Sequence, residues 1–134
     1  MSREMEIRFP AGRRVHAHYE GFEIATDQSP DSGGEGAAPE PFDLFLASLG
    51  TCAGVYVAAF CEKRGISTDG LRIRQSWTRE EQTRRLTQVR LEIEVPEGFP
   101  EKYLQALERA AEQCSVKKVL ADPPEIVTRA SAGS

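Results

Sequence analysis

The sequence predicts an α+β fold in a single domain of 134 residues, with antiparallel sheets and two main helices. Three observations carry that prediction. Short alternating segments occur next to one another and are joined by turn residues, which reads as hairpins rather than parallel crossovers. One apolar stretch, 41–65, is too long for a strand and reads as a helix. Apolar or small residues occupy most of its sides, so it should be long, central and buried.

Residues 1–26 read as a β-meander. Met5, Ile7 and Phe9 alternate with polar residues in a strand over 4–9,. Pro10-Ala-Gly-Arg13 is a turn signal,. Val15, Ala17 and Tyr19 alternate with His16, His18 and Glu20, and Glu20-Gly21 is a tight turn into a third strand, Phe22 to Thr26. Residues 27–40 form a loop with Gly33, Gly34, Gly36, Pro30 and Pro39. Structureless connections of that length are uncommon and are often functional. The central helix, 41–65, has Asp43 in its first turn, where the helix dipole favours an anion, and Gly65 as a stop,.

Residues 71–95 read as a hairpin. Leu71, Ile73 and Trp77 alternate with Arg72, Arg74, Ser76 and Thr78, and Val89, Leu91, Ile93 and Val95 alternate with Arg90, Glu92 and Glu94. Pro100 suits the first position of a second helix over 100–114, with Glu101 at its positive end,. In the remainder, 115–134, Ser115 is expected to cap a short turn to Leu120, Pro123-Pro124 to end it, and Ile126 to Arg129 to add a strand before a tail,.

Composition excludes several classes of function. The net charge is −4 with 28% charged residues, so no basic face for nucleic acid is expected,. No apolar run approaches the roughly 20 residues that span a bilayer, so no membrane association is expected. The N-terminus lacks an apolar signal core, and a cytoplasmic location follows as the expectation,. There thiols stay reduced, and a cysteine pair is catalytic or metal-binding more often than a structural disulfide.

The chain has three cysteines. At about 100° per residue, Phe45, Leu49, Tyr56 and Ala59 fall on the same stripe as Cys52, and Tyr103, Leu107 and Ala110 on that of Cys114. Two apolar stripes that face one core would bring the two thiols together, although buried cysteines also serve as small packing residues. Cys61 falls on the opposite side of its helix, with Asp43, Gly50 and Gly54, and is read as structural. His16 and His18 share a strand face at a chelating spacing. With no carboxylate or cysteine close by in sequence, they are read as a partly exposed face, and neither a metal nor a cofactor is expected. Gly33-Gly-Glu-Gly36 lacks the context of a phosphate loop, and Ser29, Ser32 and Ser48 lie in no nucleophile elbow,. The central helix has more apolar surface than one small sheet can cover, which predicts a homodimer.

The opening meander, Gly33-Gly-Glu-Gly36, the segment Pro41 to Cys52 leading into the apolar helix, and Ala111-Glu-Gln-Cys-Ser-Val-Lys-Lys118 together resemble the OsmC/Ohr superfamily of bacterial thiol proteins. The resemblance covers nearly the whole chain. It implies an OsmC-like, intertwined homodimer and a peroxidase that reduces organic hydroperoxides during oxidative stress. It further implies that Cys52 attacks, that Cys114 resolves, and that an external thiol reductant regenerates the pair. Peroxidase members also carry an arginine after the first turn and a glutamate before the cysteine helix. Arg13 matches the first. Without a gap the glutamate position holds Phe42; with a two-residue insertion it holds Glu40. Two other readings stand beside this one. In the first, a dimeric module holds a small hydrophobic ligand among Phe42, Phe45, Leu49, Tyr56 and Phe60. In the second, the chain is a general thiol–disulfide carrier. Gly50 and Gly54 offer a kink that would turn amide donors toward Cys52, and Cys114 is expected at a helix C-terminus.

Overall fold

A computed structural model describes residues 3–133. Contacts divide the chain into two compact units, one ending at Ala47 and the other beginning at Ser48. In the first unit β1 (Glu6–Ala11), β2 (Arg14–Tyr19) and β3 (Phe22–Thr26) form an antiparallel sheet in the order β1-β2-β3. Glu20 and Gly21 both have positive φ, 46° and 81°, as a two-residue type I′ hairpin turn requires,. That turn sets the register: Tyr19 lies opposite Phe22, His18 opposite Glu23, and His16 opposite Ala25. β1 runs two residues further than the alternation implied. It accommodates Pro10 through a register shift between Arg8 and Ala11, on an edge strand where a missing N–H is tolerated,. Ile7 is 51%, Phe9 79% and Phe22 70% exposed, so apolar surface of this sheet stays uncovered in the single chain.

The loop after β3 is organised by a buried carboxylate. Asp27 is 1% exposed and accepts backbone N–H groups from Gln28 at 2.7 Å, Glu35 at 3.2 Å and Ala37 at 3.0 Å. Arg14 Nε lies 4.0 Å from the same side chain. The Ala37 amide, followed by that of Gln28, holds the Asp27 carboxyl below the usual range. Gly34 packs so tightly on the Gln28 carbonyl that a β-carbon would overlap it. The loop is therefore a built structure around one charge.

Helix α1 (Pro41–Lys63) follows. Pro41 supplies a preset φ at the first position, and Asp43 Oδ2 accepts the Glu40 N–H at 3.0 Å, as a capping-box acid does,. The helix ends in a Schellman turn. Gly65 has φ 64°, its N–H reaches the Glu62 carbonyl, and the Ile66 N–H reaches that of Cys61 at 2.9 Å,.

In the second unit the rest of α1 packs with the antiparallel hairpin β4 (Arg72–Arg79) and β5 (Leu86–Glu94), α2 (Leu104–Ala111) and α3 (Ser115–Ala121). Val57, Phe60 and Cys61 of α1 and Leu107 of α2 form the core, with Ile73, Ile93, Val95 and Phe99 packed against them. Phe60 meets Tyr103 edge-on at 5.9 Å, and the Arg64 guanidinium lies 3.6 Å from the centre of the Phe60 ring and 5.5 Å from that of Tyr103,.

Several expectations are corrected. The stripe of α1 that faces this core is Ala53, Val57, Phe60 and Cys61, whereas Tyr56 and Ala59 are exposed. Cys61, not Cys52, is the core cysteine. α1 is apolar on nearly every side, so periodicity alone could not select its buried face. Gly50 and Gly54 lie inside one uninterrupted helix, Pro41–Lys63. A β-carbon on Gly50 would run into the Gln75 side chain, whereas one on Gly54 would only touch the Ile73 side chain at ordinary distance. α1 is also long and apolar enough to cross a membrane, with a mean hydropathy of 1.9 over 18 residues. Interspersed Ser48, Gly50, Thr51 and Gly54 hide this in a search for an unbroken run. The second helix is shorter than expected: Glu101–Tyr103 is a 3₁₀ turn, and α2 ends at Ala111. No strand forms over Ile126 to Arg129. That segment follows two prolines that offer no N–H, and Ile126 is 87% exposed,. Met1, Ser2 and Ser134, at the ends of the expected meander and tail, lie outside the described residues.

Candidate active site

Cys114 is not at the end of α2. A short turn after Ala111 carries the chain on, and Cys114 becomes the N-cap of α3, with φ −46° and ψ 122°. Its sulfur accepts the Lys117 N–H at 3.5 Å. Cysteine is an unusual cap. Its thiol here does what a serine hydroxyl does, satisfying one amide that the helix start leaves without a partner. Cys114 is only 3% exposed.

Cys52 projects from α1 toward this helix start. Its Sγ lies 3.4 Å from the Ser115 hydroxyl. The Ser115 hydroxyl, the Val116 amide, the Cys114 thiol and the Ser115 amide together lower the Cys52 pKa from the ordinary value of 9.0 to about 7. The cause is the positive end of α3 and its free donors, which stabilise the thiolate more than the thiol. The two cysteines are thus adjacent, one partly exposed and ionisable, the other buried beside it. Cys61 is different in kind: burial raises its pKa, which suits an inert core thiol,.

The structure places the Cys114 thiol beside Cys52, and the donors around Cys52 come from Ser115 and Val116 at the start of α3. The sequence points instead to a kink at Gly50 and Gly54 or to Arg13. The available signal was Ser115-Val116 directly after Cys114, read there as a cap one residue too late. Arg13 lies in the first unit, where its guanidinium runs along Gly33; a β-carbon on Gly33 would be 3.5 Å from Nε. Glu40 Oε1 accepts the Ser29 N–H at 3.1 Å and so fastens the loop. Phe42 meets Phe45 with ring centroids 5.3 Å apart and the rings tilted by 41°. Phe60, expected in a ligand pocket, belongs to the core.

Ser115 makes the largest contribution, so Ser115→Ala is expected to move the ionisation of Cys52 to higher pH. Alkylation by iodoacetamide at pH 7 should slow by at most roughly 50-fold, the limit set by full return to the ordinary value of 9.0,. At pH 10 the variant and the parent should react alike.

Residues 33–129 match the family model of OsmC-like proteins. The chain belongs to that family. Its fold agrees with solved structures of OsmC/Ohr proteins. A Psychrobacter arcticus protein provisionally assigned to the osmotic stress and detoxification response aligns at 22% identity with a TM-score of 0.75, over 88% of each chain. The organic hydroperoxide resistance protein OhrB of Bacillus subtilis aligns at 18% identity with a TM-score of 0.52, over 90% of this chain and 92% of that one. An organic hydroperoxide resistance protein OsmC from Legionella pneumophila, also described as a redox protein, aligns at 18% identity and 0.53, over 88% and 89%. A search of curated proteins found no match.

Proposed function

We propose that this OsmC-like protein reduces organic hydroperoxides through Cys52 and Cys114. The observation that carries the reading is the Cys52 thiol at the start of α3, lowered to about pH 7, with the Cys114 thiol beside it. The Cys52 thiolate attacks the distal peroxide oxygen. An S–O bond forms and the O–O bond breaks, so that the hydroperoxide leaves as an alkoxide that takes a proton to become the alcohol. Cys52 is left as a sulfenic acid. The Cys114 thiol then attacks its sulfur, forms the disulfide and releases water. An external thiol reductant returns two electrons by exchange and restores both thiols. Relatives named for organic hydroperoxide resistance support this substrate class. The cycle suits a reducing compartment such as the cytoplasm.

The active form is a homodimer. Val55 is 65% exposed on α1, Phe9 79% and Phe22 70% on the first sheet, and Ile126 87% in the tail. A second copy is the cover we assign to them, at an interface of about 2,000 Å² or more as obligate dimers require. Light scattering at micromolar concentration tests this, and a monodisperse monomer would refute it.

Stopped-flow oxidation of the reduced protein tests the chemistry. The expected result is a faster reaction with an alkyl hydroperoxide than with hydrogen peroxide, its rate rising with pH through about 7 as the thiolate forms and then levelling. A rate no greater than that of free cysteine would reject it. Rapid exchange with disulfides but not peroxides would identify a thiol–disulfide carrier.

A further inference from the structure

We propose that His16, His18 and Glu23 form a binding site for a divalent transition cation, with Zn²⁺ the best fit, on one face of the three-stranded sheet. Strand alternation places His16 and His18 on the same side of β2. The type I′ turn at Glu20-Gly21 brings Glu23 of β3 directly opposite His18. From there its carboxylate reaches diagonally to His16, where Nδ1 and Oε1 are 2.6 Å apart. One donor atom from each of the three side chains lies within 4.8 Å of the other two. Tetrahedral zinc with ligands at about 2.0–2.1 Å separates its donors by about 3.4 Å. The His16–Glu23 pair therefore opens slightly and His18 closes in. The Glu23 side chain, 53% exposed, has room for that adjustment.

Donor chemistry selects the ion. Two imidazoles and one carboxylate form a nitrogen and oxygen set that suits zinc and its neighbours better than calcium or magnesium, which prefer oxygen alone. Three protein ligands leave a fourth position for water. The other charges on this face are already engaged. Arg8, opposite His16, pairs with Glu6, which stands opposite His18. Arg14, further along β2, is drawn to Asp27 and Glu35. The carboxylate that sequence reading lacked comes from the next strand, and the site owes nothing to the thiol chemistry.

The chain has two histidines, so the imidazole signals of the intact protein report on this site alone. Titration with Zn²⁺ is expected to shift both signals together and saturate at one ion per chain. Calorimetry in a Cys52→Ser/Cys114→Ser background, where the paired thiols cannot compete, gives the affinity. His16→Ala, His18→Ala and Glu23→Gln should each weaken it by about 10–100-fold or more, the loss that follows even from removing a group that merely supports a ligand. Histidine signals unmoved by Zn²⁺ would overturn the proposal, as would unchanged affinity in His18→Ala. Should an alanine variant misfold, the titration of the parent protein still decides.

Discussion

Replacing Cys52 by serine is expected to abolish hydroperoxide consumption, because serine at this position cannot supply a thiolate. Cys114→Ser should behave differently. On the proposed chemistry it reacts once and stops as a sulfenic acid, which a dimedone probe traps and excess peroxide over-oxidises. Mass spectrometry after one equivalent of hydroperoxide reads the three forms directly: unmodified Cys52→Ser, dimedone-labelled Cys114→Ser, and disulfide in the parent. Local structure favours this division of roles. The Cys52 sulfur is partly exposed and receives donors from Ser115 and Val116, whereas the Cys114 sulfur is buried and already caps α3. Trapped sulfenic acid in Cys52→Ser, with Cys114→Ser inert, would reverse the assignment. Cys61→Ser is the control. It should keep full turnover and lose stability by about 1–3 kcal/mol, because it buries a hydroxyl without an assured partner.

Leu107→Ala carries the largest expected cost in stability. Leu107 is 1% exposed and is the residue of α2 that joins Val57, Phe60 and Cys61 in the core. Truncation removes its transfer energy and leaves a cavity that fixed helices and a hairpin cannot fill, a loss of about 2–5 kcal/mol. Urea denaturation should show a lower midpoint with an unchanged slope. A change under about 1 kcal/mol would mean that α2 is able to collapse onto α1.

Much of the architecture is legible in the residues. Pro41, Asp43 and Gly65 delimit α1, and the Glu20-Gly21 pair announces the hairpin between β2 and β3. Even the meeting of Glu23 with the histidines follows from that turn once residues are counted outward from it. The phase of α1 was not legible. A helix apolar all round has no preferred face until a partner selects one, and here the hairpin and α2 pack on Val57, Phe60 and Cys61. The activation of Cys52 was equally hidden. It depends on a short turn after Ala111 that starts a new helix at Cys114 instead of ending an old one. Asp27 shows a third kind of limit. A lone acidic residue after a strand reads as surface, and only the backbone amides folded around it make it an interior group.

That buried carboxylate separates two responses to acid. Its folded-state pKa lies below the unfolded value, near 3.9,. Its contribution to stability is therefore complete above that value and lost only as the pH falls through the lower, folded one. Cys52 exchanges its proton around pH 7. Across the whole interval in which the Cys52 thiol gains or loses its proton, Asp27 stays charged and the loop it organises stays at full strength. On the proposed chemistry, mild acidification silences the thiol while this support holds, and neutralisation restores reactivity without any need for that loop to refold.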